Sequence, residues 1–250
     1  MDKILIASPI RQKKYILREY LKGLDELYIG EFNVERYFVL HNCYEELIPE
    51  FNSGILNRWN DETDTVKNTN THNWKKNNLN AMSQMKNMIV EYALKYNYDY
   101  IFWVDSDTVV QPETLAHLHN ILVNKKEYIC GEILWTEYQD GSGKMEPNCW
   151  EYDFFSWPEN YYKPNRLYHV GGVGGLLLVN TDVYRSGVNY TPLPNLQITN
   201  WEDRAFCIRA TCHDYKIFVD THYPAIHLYR DDIYNKYMKS KGGNYESRNL

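Results

Sequence analysis

The sequence predicts an α/β protein with a mostly parallel central sheet flanked by helices. The chain opens with a β-α-β unit, in which apolar strands at residues 3–7 and 35–40 flank a segment of helical periodicity at 12–24. Such a unit implies parallel strands joined by a right-handed crossover. A second observation is the apolar run Ile101–Val104, a short buried strand that stops at Asp105-Ser106-Asp107. With 250 residues, we expect a single domain at 1–250, with a polar C-terminal tail at about 231–250.

The later elements continue the alternation of helices and strands. A methionine-rich face predicts a helix at 81–97, and Pro112 is expected at the first position of the next helix. Further strands are predicted at 128–135, 176–179 and 215–219, with a helix that opens at about residue 200. The segment 52–80 is polar, and we expect a long loop there, either functional or disordered.

Composition excludes several classes of function. The net charge is −6 and the pI is about 5.8. A protein this acidic is not expected to bind duplex nucleic acid or an anionic membrane. The five cysteines are odd in number and lack a metal-binding spacing, so we expect reduced thiols. No signal-peptide core or transmembrane segment is evident, and we expect a soluble, cytoplasmic protein.

The strongest candidate site is the aspartate pair. Residues i and i+2 of a strand point the same way, so Asp105 and Asp107 are expected to face one site at the carboxyl end of their strand, with Ser106 turned away. Two adjacent carboxylates repel unless a cation lies between them, and hard ions such as Mn²⁺ or Mg²⁺ suit such ligands. Phosphatases of the haloacid dehalogenase type also carry a strand followed by Asp-x-Asp. Their pair lies on the first strand with Thr two residues later, whereas this pair is mid-chain and Thr108 follows it directly.

Three further motifs carry candidate residues. Trp201-Glu202-Asp203 opens a helix, where acidic residues can simply complement the helix dipole, but where Trp201 could stack on a sugar and Asp203 could act as a base. Gly174 and Gly175 precede a buried strand and allow either a tight turn or a close ligand. His227 follows the last strand, where a structural histidine is the ordinary alternative.

Taken in order, these motifs resemble the GT-A fold glycosyltransferases, close to the family 2-like and Anp1-like mannosyltransferase groups. The matching stretches are Ile4–Pro9, Tyr100–Pro112, Val170–Val179 and, as the longest continuous match, Trp201–His227. The resemblance covers most of the chain except roughly 41–72 and the tail. It implies a Rossmann-like, nucleotide-diphospho-sugar transferase fold and a metal-dependent, inverting transfer from a UDP- or GDP-sugar to a hydroxyl acceptor.

The resemblance also implies residue roles. Asp105, Asp107 and His227 match the metal and diphosphate site, and Asp203 matches the acceptor-activating base, with Glu202 as the second choice. A further set matches loops around the ligands: Ser8 and Pro9 at the nucleotide, and Ser106, Gly174, Gly175 and Trp201 at the sugar or acceptor.

Two positions depart from the family pattern. His41-Asn42 occupies the position where many family members have an acidic residue that contacts the nucleotide base or ribose. The arginine that usually precedes the third helix is also not evident, so Lys75 and Lys76 are the candidates for phosphate contact. The alternatives are a metal-dependent phosphatase or phosphodiesterase, and a nucleotide-sugar-binding protein without catalysis.

Overall fold

The computed structural model describes residues 1–60, 76–137, 142–153, 156, 162–193 and 201–242. Lys75 and much of the polar segment at 52–80 therefore lie outside the described residues, as does the side chain of Lys76.

Short strands alternate with helices along the chain, as the sequence predicts. The strands are β1 (Lys3–Ile10), β2 (Asn33–His41), β3 (Ile55–Trp59), β4 (Tyr100–Val104), β5 (Thr108–Val109), β6 (Ile129–Glu137), β7 (Met145–Pro147), β8 (Cys149–Trp150), β9 (Leu167–Val170), β10 (Gly172–Val173), β11 (Leu176–Asn180) and β12 (Ile217–His227). The helices are α1 (Lys14–Asp25), α2 (Lys76–Lys95), α3 (Thr114–Lys125), α4 (Asp182–Arg185), α5 (Glu202–Cys212) and α6 (Asp231–Gly242), and a 3₁₀ segment (Asn42–Glu50) follows β2.

The central sheet is largely parallel, as expected. Its strands lie in the order β3-β2-β1-β4-β11-β6-β12-β5. The pairs β1–β2, β1–β4, β2–β3 and β6–β12 are parallel, whereas β11 runs antiparallel to its neighbours β4 and β6. The reversed strand β11 brings the loop before it to the carboxyl end of β4, which is where an open α/β sheet binds ligands.

Apolar residues cover both faces of this sheet, because successive strand residues point to opposite sides. On β4, Ile101 and Trp103 belong to one core cluster, and Phe102 and Val104 belong to the other. The first cluster is closed by α2 and α5, and the second by α1 and α3. A strand that is buried on both faces has an uninterrupted apolar sequence, and this explains why the sequence Ile101–Val104 predicts a buried strand.

Three segments differ from the sequence expectation. Ile55–Trp59 forms β3, paired in parallel with β2, within the segment expected as a loop, because an edge strand can keep polar residues on its exposed side. Pro112 lies before α3, whose N-cap is Glu113, rather than at its first position. Residues 231–242 of the expected tail form α6, and Tyr237 packs with Ile16 and Leu228.

Among the residues described, no helix is both long enough and apolar enough to cross a membrane. The cytoplasmic location stays a prediction. Cys130, Cys149 and Cys207 are buried free thiols, and Cys212 is an exposed one.

Candidate active site

An open cleft of about 420 Å³ lies at the carboxyl ends of β4 and β6 and collects most of the predicted site residues. It is lined by Pro9, Arg11, Met82, Asp105, Ser106, Asp107, Leu134, Thr136, Glu146, Pro147, Asn148, Trp150, Gly174, Gly175, Trp201, Asp203, Arg204, His227 and Tyr229. Residues from distant parts of the sequence therefore form one site, as the motif order predicts.

The aspartate pair reaches the cleft through a turn. Strand β4 ends at Val104, and the backbone N–H of Thr108 donates to the carbonyl of Asp105 at 2.9 Å. Strand alternation therefore does not apply to these residues, and Ser106 lines the cleft together with both aspartates instead of pointing away. Asp107 is 3% exposed, so its carboxyl group is held in a nearly dry environment.

His227 is brought beside Asp107 by strand pairing. The short strand β5 pairs with the end of β12, with Thr108 opposite His227. The backbone N–H of Leu228 donates to the Asp107 carbonyl at 2.7 Å. As a result, His227 Nε2 lies 3.5 Å from Asp107 Oδ2, while Nδ1 lies 3.0 Å from the hydroxyl of Thr136. The hydroxyl contact at Nδ1 orients the ring and leaves Nε2 directed at the aspartate.

The two glycines lie next to the carboxyl groups of Asp203 and Asp105. A Cβ at position 174 would lie 2.6 Å from Asp203 Oδ2, and one at position 175 would lie 3.3 Å from Asp105 Oδ2. Gly175 also has φ +75°, a region that disfavours residues with a side chain. The Asn148 amide donates to the Gly174 carbonyl at 2.8 Å and fixes the turn. Both carboxylates can therefore approach one stretch of backbone.

Asp203 is held by a buried cation that sequence reasoning missed. Lys86 on α2 is 2% exposed, and its Nζ lies 2.6 Å from Asp203 Oδ1 and 3.1 Å from Glu202 Oε1. Glu202 is 5% exposed and does not line the cleft, whereas Asp203 does. Of the two acids that open α5, Asp203 is thus the one available to a ligand, and Glu202 pairs with Lys86.

Burial governs the ionisation of these groups. Burial raises the pKa of Asp105 to about 7; Lys86 opposes this shift, while Asp203 and Asp107 add to it. Burial lowers the pKa of Lys86, but Asp203 and Glu202 more than offset this, so its pKa is raised and the ammonium stays charged. Burial also raises the pKa of Glu202. The cleft therefore concentrates negative charge around one ammonium group, which suits binding of a further cation.

Aromatic rings and a guanidinium form one wall of the cleft. The Arg204 guanidinium carbon lies 5.3 Å from the Trp150 ring centroid and 5.2 Å from that of Trp201, within the range of cation–π attraction. Trp201 is 46% exposed and offers an open face to a ligand. Arg204 adds a positive charge to this wall, and the stacking role of Trp201 stays a prediction.

The first loop contributes other residues than those expected. Ser8 is completely buried, with its hydroxyl 2.6 Å from the Tyr20 hydroxyl and donating to the Val104 carbonyl, and it does not line the cleft. Pro9 lines the cleft as expected, together with Arg11, which the sequence did not single out. A serine directly after an apolar strand gives no sign of whether its hydroxyl turns inward or outward.

The side-chain oxygen and nitrogen atoms of Asp107 and His227 are suitable ligands for a divalent metal ion. Asp107 supplies carboxylate oxygen and His227 supplies a ring nitrogen, and Mn²⁺ accepts both kinds of ligand. In the described part of the chain, Asp105, Asp107 and His227 are not found as a trio with ligand atoms within 4.8 Å of one another. The geometry therefore favours Asp107 and His227 as direct ligands, with Asp105 next to them.

Comparison with known proteins adds to this picture. The model of the Anp1 family, a mannosyltransferase family, matches residues 45–168. The fold is similar to that of GalNAc-T7, whose crystal structure was solved with UDP, GalNAc and Mn²⁺. The TM-score is 0.59 at 12% sequence identity, and the match covers 92% of this chain and 44% of the GalNAc-T7 chain. The fold is also similar to that of TarS 1-349 of S. aureus (TM-score 0.54, 14% identity, 99% of this chain and 67% of that one). The chain thus spans less than half the length of the GalNAc-T7 chain. No curated protein matches the sequence.

Proposed function

We propose that this chain, which has the fold of the GT-A glycosyltransferases and matches the Anp1 model over residues 45–168, is a glycosyltransferase that transfers a sugar from a UDP- or GDP-sugar to a hydroxyl acceptor with inversion at the anomeric carbon. We further propose that the whole chain acts as one catalytic domain that uses Mn²⁺ or Mg²⁺. The observation that carries the proposal is that the Asp107–His227 pair and Asp203 face one cleft, separated by the Gly174-Gly175 turn.

The donor side of the proposed site is the Asp105–Asp107 turn with His227. A divalent ion held by Asp107 and His227 would offset the negative charge that develops on the leaving diphosphate. Asp105 lies beside this pair, and its backbone N–H donates to the Gly175 carbonyl at 2.8 Å. We propose that its carboxylate, which lies next to Gly175, binds the ribose or the sugar of the donor. Arg11 lines the same cleft and offers a cation to phosphate, the part expected of Lys75 and Lys76.

The acceptor side is Asp203 with Trp201. Inversion requires the acceptor hydroxyl to approach the sugar from the face opposite the leaving group, where a base removes its proton. Asp203 lines the cleft across the glycine turn from Asp105, and its Oδ1 is held by Lys86 while Oδ2 lies against Gly174. The proton of the acceptor hydroxyl would pass to the Asp203 carboxylate as the new glycosidic bond forms.

The test is a panel of UDP- and GDP-sugars with and without Mn²⁺, read as a thermal shift and as slow donor hydrolysis. We expect at least one nucleotide-sugar to raise Tm in the presence of Mn²⁺. Absence of any shift, or release of phosphate from simple monoesters, would contradict the proposal and favour the phosphatase alternative.

The role of the base is tested separately with Asp203→Asn. This variant should lose transfer and keep the donor-induced thermal shift, because the donor side is untouched. Asp214→Asn is the matched control, since Asp214 is exposed and its φ of 62° is tolerated by Asn. Loss of donor binding in Asp203→Asn would assign Asp203 to the donor side instead.

A further inference from the structure

A second cluster of metal-binding side chains lies outside the cleft. It consists of His117 on α3 and of Asp220 and His222 on β12, none of which lines the cleft. We propose that this cluster is a separate cation site, selective for Zn²⁺ or a transition ion of similar chemistry.

The ligand atoms of the three side chains already lie together. One atom from each is within 4.8 Å of the other two. Asp220 Oδ2 is 3.1 Å from His117 Nε2, and Asp220 Oδ1 is 2.8 Å from His222 Nδ1. Ligands around a tetrahedral Zn²⁺ with bonds of about 2.0–2.1 Å are separated by about 3.3–3.4 Å. The two Asp220–histidine distances would therefore have to lengthen by about 0.2–0.6 Å to make room for the ion.

The contact between His117 and Asp220 is not an ordinary hydrogen bond. His117 Nε2 is buried and has no hydrogen-bond partner, although Asp220 Oδ2 is only 3.1 Å away. The two atoms are therefore close but misaligned for a hydrogen bond. A cation bound by both of them would give His117 Nε2 the partner that it lacks.

Asp220 is the buried carboxylate of the cluster, and Glu132, also completely buried, lies opposite it on the neighbouring strand β6. Burial and the neighbouring Asp220 raise the pKa of Glu132 to about 9, so the Glu132 carboxyl group stays protonated beside Asp220. The His117 and His222 side chains are 27% and 35% exposed, so a further ligand such as water can reach the site from solvent.

The donor set distinguishes this cluster from the cleft. Two imidazoles and one carboxylate suit Zn²⁺, which binds nitrogen and oxygen with three protein ligands and one open position. Mg²⁺ and Ca²⁺ prefer oxygen ligands and are disfavoured here. The bound ion would join the first turns of α3 to β12 next to the register shift between Asp220 and Ala225. The same strand continues to His227, so the ion would stabilise the strand that carries this cleft residue.

The inference is tested by Zn²⁺ binding to the full chain after treatment with EDTA. We expect a rise in Tm with Zn²⁺, about 5–10 °C at 100-fold excess over Kd, and retention of Zn²⁺ on dialysis. His117→Ala and His222→Ala should each lose this shift, whereas His213→Ala, which removes an exposed histidine elsewhere, should keep it.

A variant of the cleft separates the two sites. Asp107→Asn combined with His227→Ala removes the cleft ligands, and we expect it to keep one Zn²⁺ per chain. If Zn²⁺ binding disappears in that variant, or is unchanged in His222→Ala, the cluster is not the site and the inference is overturned. His222 is partly exposed, so its substitution tests the inference even if His117→Ala does not fold. Absence of Zn²⁺ binding by the unaltered protein would also overturn it.

Discussion

Replacement of Lys86 by Met should destabilise the protein strongly, because it removes the ammonium group between the buried Glu202 carboxylate and the partly buried Asp203 carboxylate. Lys86 is 2% exposed and lies 2.6 Å from Asp203 and 3.1 Å from Glu202. Loss of one partner of a buried ion pair costs about 3–5 kcal/mol, since the remaining charge is left without compensation. For a chain of this size, 1 kcal/mol shifts Tm by about 2–4 °C, so we expect a decrease of about 6–20 °C.

Chemical denaturation of Lys86→Met, with Lys95→Met as the control, measures this cost. Lys95 lies at the exposed end of the same helix, and its substitution should change the free energy of unfolding by no more than about 0.5 kcal/mol. The decisive comparison is Glu202→Gln in both backgrounds. In the native background it removes a partner of Lys86 and should destabilise, whereas in Lys86→Met it removes an uncompensated carboxylate and should be neutral or stabilising.

Two results would refute this reasoning. One is a cost of Lys86→Met below about 1 kcal/mol, which would mean that the carboxylates are solvated or neutral without the lysine. The other is an equal cost of Glu202→Gln in the two backgrounds, which would mean that Lys86 and Glu202 do not interact. In transfer assays, the same lysine variant should reduce the rate even where it is folded, because Asp203 is no longer held at the cleft.

Three other predictions concern the cleft directly. Burial raises the pKa of Asp105 to about 7 in the metal-free protein, so the contribution of Asp105 to stability is lost as pH rises from the usual aspartate pKa towards 7. Mn²⁺ compensates the charge of ionised Asp105, so the rise in Tm caused by Mn²⁺ should be larger at pH 8 than at pH 6. An equal or smaller shift at pH 8 would contradict this. Gly174→Ala places a methyl 2.6 Å from Asp203 Oδ2 and should reduce transfer by at least about tenfold while Mn²⁺ still raises Tm; unchanged transfer would show that Asp203 can move without loss. Trp201→Ala should change the free energy of unfolding by about 0.5 kcal/mol or less, because the ring is 46% exposed, and should raise KM for the acceptor or donor; an unchanged KM would remove Trp201 from the binding wall.

The residues that were predictable from sequence are those that follow a buried strand. Asp105 and Asp107 stand out because four apolar residues precede them, and burial on both sheet faces demands such a run. His227 was identifiable from its place near the end of the last strand. Its proximity to Asp107, however, depends on the pairing of β5 with β12, and β5 is too short to leave a pattern.

The residues that were missed act through tertiary contacts. Lys86 lies on the helical face of Met82 and Ile89, so the signal was a lysine within an apolar stripe, which a long side chain on the surface can equally explain. Asn148 fixes the glycine turn through its side-chain amide, and nothing in its neighbourhood indicates that. β3 was missed because three of its five residues are exposed at the edge of the sheet and none is buried.

The position of Asp203 is determined from two independent directions. Lys86 on α2 holds Oδ1, and Oδ2 occupies the space that a side chain at position 174 would need. A side chain at position 175, the next residue, would lie 3.3 Å from Asp105 Oδ2, so a single peptide unit separates the two carboxylates. A substitution at either glycine should therefore change the spacing of the two carboxylates, whereas one at Lys86 removes the cation that pairs with Asp203 and Glu202 and leaves the turn intact. Comparing metal-dependent donor binding in these variants distinguishes a cleft whose two sides are coupled from one in which they act separately.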